Sequence, residues 1–128
     1  MLKGDIKNMI LREKVTCPLE LAHDMIKGKW KPIILWRLRL RRTSLAKLEK
    51  DINSITQKML LQHINELMEY GLVDKIKYDG YPLRVEYFLT PNKGTKMIEC
   101  LEILQEIGIT YMIENGQKDH IREIWFKM

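Results

Sequence analysis

Residues 53–73, NSITQKMLLQHINELMEYGLV, constrain the fold of this 128-residue chain more than any other stretch. At about a hundred degrees per residue, Leu60, Ile64 and Leu67 fall on one side of a helix, flanked by His63 and Met68. Lys58, Gln62, Asn65 and Glu69 project from the other side. Ser54 or Thr56 can cap the start, and Gly71 suits a left-handed stop. Two strand-like runs follow: Val73 and Ile76 lie among Asp74, Lys75 and Lys77, then Val85, Tyr87 and Leu89 pattern RVEYFLT, with a tip at Asp79-Gly80-Tyr81-Pro82. A helix with one apolar face to hold it and one polar face to donate fits the DNA major groove, and Gln and Asn match adenine bidentately. Taken alone, the pattern equally suits an ordinary amphipathic surface helix.

The flanking sequence favours the first reading. Thr43 or Ser44 caps a helix through Asp51, with Leu45, Leu48 and Ile52 on its buried side, and a short turn joins it to the next helix as a helix-turn-helix. Upstream, Cys17-Pro18 opens a helix striped by Leu19, Ala22, Met25 and Ile26 and ending at Gly28. A second begins near Lys31-Pro32, burying Ile33, Ile34, Trp36 and Leu38 or Leu40, and exits at Arg41-Arg42. Downstream, Thr90 caps a long helix bearing Met97, Ile98, Leu101, Leu104 and Ile107, which Gly108 is expected to bend or end. Residues 109–128 carry Tyr111, Met112, Ile113, Ile121, Ile124 and Trp125, too apolar for a solvated tail. Residues 1–14, with Met9, Ile10 and Leu11, suit an arm or short helix.

These elements predict a mainly α fold with a small β-hairpin wing. It is a winged helix-turn-helix forming a single domain over 1–128, with a reading helix over about 56–70 and a wing over about 73–89. Dimerisation helices over about 91–128 and the N-terminal arm flank it. Long terminal helices with continuous apolar stripes generally bury them against a second subunit, and a two-fold homodimer on symmetric DNA half-sites is expected.

The net charge of +5 is unevenly placed: residues 27–63 hold ten Lys and Arg against Glu49 and Asp51, for +8. Such a block suits a polyanion-binding surface or a solvated helix face. No run of eighteen apolar residues occurs, and the first twenty residues carry both charge signs without a signal-peptide core, so a cytoplasmic protein with no membrane span is expected. Two cysteines, Cys17 and Cys100, are too few and too distant for a disulfide scaffold or zinc site. No cofactor or metal is called for. An enzyme is disfavoured: the chain has no Gly-rich phosphate loop, no Gly-x-Ser-x-Gly and no His-Glu-x-x-His, and His23, His63 and His120 are scattered.

Three ordered motifs carry a family resemblance. CPLELAHDMIKGKWKPIILWRL holds Cys17, Pro18, Gly28, Lys29 and Trp30; ITQKML holds Thr56 through Leu60; RVEYFLT ends at Thr90 with Gly94 four residues on. The chain in these places resembles the HxlR-type, MarR-like winged-helix transcriptional regulators. That resemblance implies homodimers binding double-stranded DNA, and a cysteine near the amino end, here Cys17, that in several members senses small electrophiles or oxidants. Between Thr43 and Lys47 the chain departs from the family's Arg-Phe-x-Glu-Leu, reading Ser44, Leu45, Ala46, Lys47, Leu48.

The expected roles follow. Lys58, Gln62 and Asn65 read bases, with Leu61 able to touch a thymine methyl, while Thr56 and Gln57 donate to phosphate. Lys75, Lys77 and Arg84 approach DNA from the wing, Arg84 equally suiting an ion pair with Glu86 or Asp79. Lys29, Lys31 and Lys47 are candidate backbone contacts, whereas Arg39, Arg41 and Arg42 suit a solvated helix end. Trp30, Trp36 and Trp125 suit core or dimer anchors. A helix amino end and nearby Lys14 favour a reactive Cys17, against a small buried thiol at a cap; Cys100 is expected to pack. The competing function is a winged-helix module for protein or RNA contact without sequence-specific DNA readout.

Overall fold

A computed structural model describes residues 17–127, with side chains through Glu123. The expected arm at 1–14, Lys14, and the Ile124 and Trp125 side chains lie outside this description. The order is α1 (Pro18–Met25), α2 (Trp30–Leu38), α3 (Leu45–Asp51), α4 (Gln57–Glu69), β1 (Val73–Tyr78), β2 (Arg84–Leu89), α5 (Lys93–Glu114) and α6 (Lys118–Lys127).

Helix α2 runs through the centre, touching α4, α5 and β2. Ile34 and Leu35 are fully buried, with Trp36 and Leu38 nearly so, while Leu40 faces solvent. Leu38 is therefore the core residue of the expected pair, and Leu35 joins it. Two polar side chains cap the next helices: Ser44 accepts from the Lys47 N–H at 3.2 Å, and Thr56 accepts from the Met59 N–H at 3.2 Å. Leu48 and Ile52 then meet Leu60, Ile64 and Leu67, closing a cluster with no solvent access at Leu48 or at the three α4 positions. Burying four such side chains contributes roughly 1.5–3 kcal/mol each before entropy is subtracted.

Thr43, the alternative cap, has another role. Its N–H and C=O exchange hydrogen bonds with Tyr87 at 3.0 and 2.9 Å, adding an isolated bridge to the outer side of β2. The hairpin pairs Val73 with Leu89 through Tyr78 with Arg84. Since cross-strand partners share a face, Val73, Val85, Tyr87 and Leu89 turn inward as expected, whereas Ile76 lies on the opposite face.

The junction between α4 and α5 is tight. Gly71, at φ +83°, ends α4, with Leu72 N–H donating to Leu67 O and Gly71 N–H to Met68 O. The Thr90 hydroxyl donates to Gly71 O at 2.6 Å and accepts from the Gly94 N–H at 3.0 Å. Thr90 thus caps α5 from outside, since the N-cap position itself falls on Asn92. A Cβ added at Gly94 would run into the Leu72 carbonyl oxygen and crowd the Thr90 hydroxyl.

Several expectations are corrected. Gly108 does not end the long helix: α5 continues to Glu114. Its stop is Gly116, at φ +76°, where Gln117 N–H donates to Met112 O and Gly116 N–H to Ile113 O. An interior glycine costs only about 1 kcal/mol, which the flanking helix formers outweigh. Helix α1 ends at Met25, before Gly28. Leu19, assigned to its buried stripe, is 74% exposed, and Cys100, expected to pack, is also exposed.

Gly94→Ala is expected to destabilise the protein by about 1–3 kcal/mol, because the clash is with backbone. Urea unfolding should show a lower midpoint, and an unchanged midpoint would show that the junction has slack.

Candidate nucleic-acid interface

The buried stripe of α4 decides which residues it presents outward. Thr56, Gln57, Lys58, Leu61, Gln62 and Asn65 are exposed, while Leu60, Ile64 and Leu67 are fully buried. Lys58, Gln62 and Asn65, at i, i+4 and i+7, therefore share one solvent-facing side. The Thr56 oxygen is used by the cap, leaving its hydroxyl proton to donate alongside Gln57 at the positive end of the helix.

The wing places Lys75 and Lys77 two residues apart on β1, both exposed. Arg84, opposite Tyr78 in the register, lays its guanidinium over the Tyr78 ring at 4.2 Å. Of its two expected partners, Glu86 is engaged otherwise, accepting from the Tyr78 hydroxyl at 3.1 Å. Arg42 adds a contact the sequence did not signal: its guanidinium lies 5.2 Å from the Phe88 ring and donates to the Tyr78 hydroxyl at 3.4 Å. Arg39, by contrast, folds back, stacking 4.0 Å over Trp36 and donating to its carbonyl at 2.7 Å.

Each of the remaining basic candidates has a partner within the protein. Lys29 lies 4.6 Å over the Trp30 ring. Lys47 pairs with Asp51 one turn along α3 at 3.3 Å. Lys31 is drawn inward, 2.6 Å from the Glu66 carboxylate and 12% exposed. That hydrogen bond, opposed by burial, holds Glu66 below the usual glutamate range. Proximity in sequence to the basic block gave no sign that one of its lysines serves α4 itself.

Cys17 is exposed at the N-cap of α1, its Sγ accepting from the Leu19 N–H at 3.4 Å. Cys100 lies in a shallow apolar groove between α1 and α5 with Leu19, Met25, Met97 and Leu104. Among the described residues no group of His, Cys, Asp or Glu is arranged to hold a metal ion, and no helix is long and apolar enough to cross a membrane.

A buried-backed helix presenting amide and ammonium donors, preceded by a capped helix and followed by a basic hairpin, defines a winged helix-turn-helix. Residues 25–116 match the model of the HxlR-like helix-turn-helix family, and the chain belongs to that family. It is 38% identical over 96 residues to YkvN, an uncharacterized HTH-type transcriptional regulator of Bacillus subtilis, covering 74% of this chain and 77% of that one. It is 36% identical over 99 residues to another such regulator from Methanothermobacter thermautotrophicus, covering 77% and 75% of the two chains. The solved structure of the redox regulator HypR in its reduced form superposes with a TM-score of 0.70 at 31% identity, covering 73% of this chain and 92% of that one. The protein is accordingly a transcriptional regulator of the helix-turn-helix type and not an enzyme.

The Lys31–Glu66 pair carries a pH signature. Because Glu66 titrates lower in the folded state, the pair contributes fully above the ordinary glutamate value of roughly 4.3 and is lost as pH falls through the folded value. The stability gap between parent and Glu66→Gln should therefore narrow on acidification from about pH 6 to about pH 3, read by thermal unfolding. A constant gap would show that the carboxylate's charge contributes nothing.

Proposed function

We propose that the protein binds double-stranded DNA sequence-specifically as a homodimer on a palindromic operator, acting in the cytoplasm to regulate transcription, as one domain spanning the chain. The observation carrying this reading is the outward side of α4, where Lys58, Gln62 and Asn65 stand exposed above a fully buried stripe. In this reading the trio meets base edges, Thr56 and Gln57 hold a phosphate, and Lys75, Lys77 and Arg84 follow the flanking backbone or minor groove. Lys29 and Lys47 serve as peripheral phosphate contacts, exchanging their present ring and carboxylate partners for phosphate.

Dimerisation is supported by α5. Ile103, Ile107 and Tyr111 are spaced four apart and 59%, 61% and 67% exposed, with Leu104 about half exposed beside them. A contiguous apolar strip of this kind suits a second copy related by a two-fold axis, which sets two reading helices on successive half-sites.

Selecting duplexes from a random pool tests the whole reading, since a palindromic product reports dimer, half-site and spacing together. Gln62→Ala or Asn65→Ala should then lose roughly 1–3 kcal/mol on the selected duplex with relaxed preference at one base pair. Lys75→Ala should weaken all duplexes and lower the salt slope by about one. A pool that yields no preferred duplex would instead favour a module for protein or RNA contact.

Regulation by thiol modification at Cys17 is part of the proposal, supported by its exposure at the amino end of α1 and by the likeness to HypR. Addition of Sγ to a ring carbon of a quinone forms a C–S bond, and the thiol proton ends on the reduced ring oxygen. Gel shifts with a quinone should show altered DNA affinity for the parent and none for Cys17→Ser; identical responses remove the switch.

A further inference from the structure

At the tip of the wing the chain turns through three exposed apolar residues in succession, Tyr81, Pro82 and Leu83. Tyr81 is wholly exposed and Leu83 is 64% exposed. Single apolar side chains on a surface are ordinary, but an exposed run of three costs solubility unless something covers it. The stem below is braced. The Arg84 guanidinium lies 4.2 Å over the Tyr78 ring, and the Tyr78 hydroxyl donates to Glu86 at 3.1 Å and accepts from Arg42 at 3.4 Å. The tip is therefore held out on a stiffened hairpin, while Arg84, laid over Tyr78, keeps its charge on the stem.

A DNA minor groove flanking the half-site fits this arrangement. On and beside the upper stem, Arg42, Lys77 and Arg84 outnumber Asp79 and Glu86, so the stem can meet phosphates at the rim while the apolar tip meets the floor and sugar walls. There the chemistry discriminates. An A·T pair offers only acceptors, to which the Tyr81 hydroxyl can donate, whereas a G·C pair adds the guanine N2 amine. Leu83 has no atom to accept from that amine, and a donor desolvated without a partner costs affinity.

We propose that Tyr81 and Leu83, rather than Arg84, enter the minor groove and select against G·C pairs there, with Arg84 left to the phosphate backbone. The inference rests on the DNA-reading function proposed above.

Hydroxyl-radical footprinting of the parent on the selected duplex locates the protected minor groove in each flank. The pairs there are then set in turn to A·T, to G·C and to inosine·C, which keeps the major-groove face of G·C but lacks the N2 amine. The parent should bind the G·C flank about tenfold more weakly than A·T and recover on inosine·C. Tyr81→Ala/Leu83→Ala should bind the A·T duplex about tenfold more weakly, with the flank preference gone and the salt slope unchanged, because an apolar contact releases no counterions. Arg84→Ala should instead lower the slope by about one and keep the preference. With both tip residues exposed, the double variant should unfold at the parent's midpoint. A parent that treats inosine·C like G·C reads the flank through the major groove, which overturns the proposal. A double variant that binds every duplex as the parent does places the tip outside the groove and also overturns it. A parent that selects no duplex at all fails the reading of α4, whereas a selected duplex with indifferent flanks fails this inference alone.

Discussion

Everything about the presented surface depends on the burial of Leu60, Ile64 and Leu67 against Leu48, Ile52 and the centre of α2. An α-helix cannot choose its outward side independently of its inward one. Once those three side chains are withdrawn from water, a turn of a hundred degrees per residue leaves Lys58, Gln62 and Asn65 no orientation but outward. The polar side chains point in fixed directions because the apolar ones hold the helix at a fixed roll.

Around that contact the protein spends its few buried hydrogen bonds at junctions. The Thr43 bridge ties the segment before α3 to β2, so the wing shares backbone bonds with the helix-turn-helix rather than resting on it. The Thr90 hydroxyl satisfies the end of one helix and the start of the next with a single oxygen. Lys31 and Glu66 join α2 to α4 at the edge of the presented side. Each link is polar, directional and specific in geometry, and apolar packing alone would supply none of those properties.

Most of the architecture was legible because it is periodic. The α4 stripe, the inward trio of β2, the proline at the start of α1 and the Gly71 stop all express local rules that a sequence displays directly. What escaped was set by tertiary partners. Thr43 and Ser44 offer the same hydroxyl, but Thr43 turns its own to the Arg41 carbonyl while its backbone bridges to Tyr87, and Ser44 is left to cap α3. Gly108 reads as punctuation, but the stop falls at Gly116, where the backbone turns left-handed after Asn115. Lys31 sits amid a basic run, and nothing in that run reveals a glutamate from thirty-five residues downstream beside it. The outward trio of α4 was readable as a face.

The close seating of Gly94 against Leu72 has a mechanical corollary. Helix α5 has 22 residues and so extends about 33 Å, and its first turn is wedged against the exit of α4 with no room for an added methyl. A rigid rod clamped at one end is a lever. Tilting it by about five degrees about that fulcrum would displace its far end by roughly 3 Å, given the same rise per residue. Any force that shifts the distal half of α5 is thus delivered, geared down, to the base of the wing and the last turn of α4.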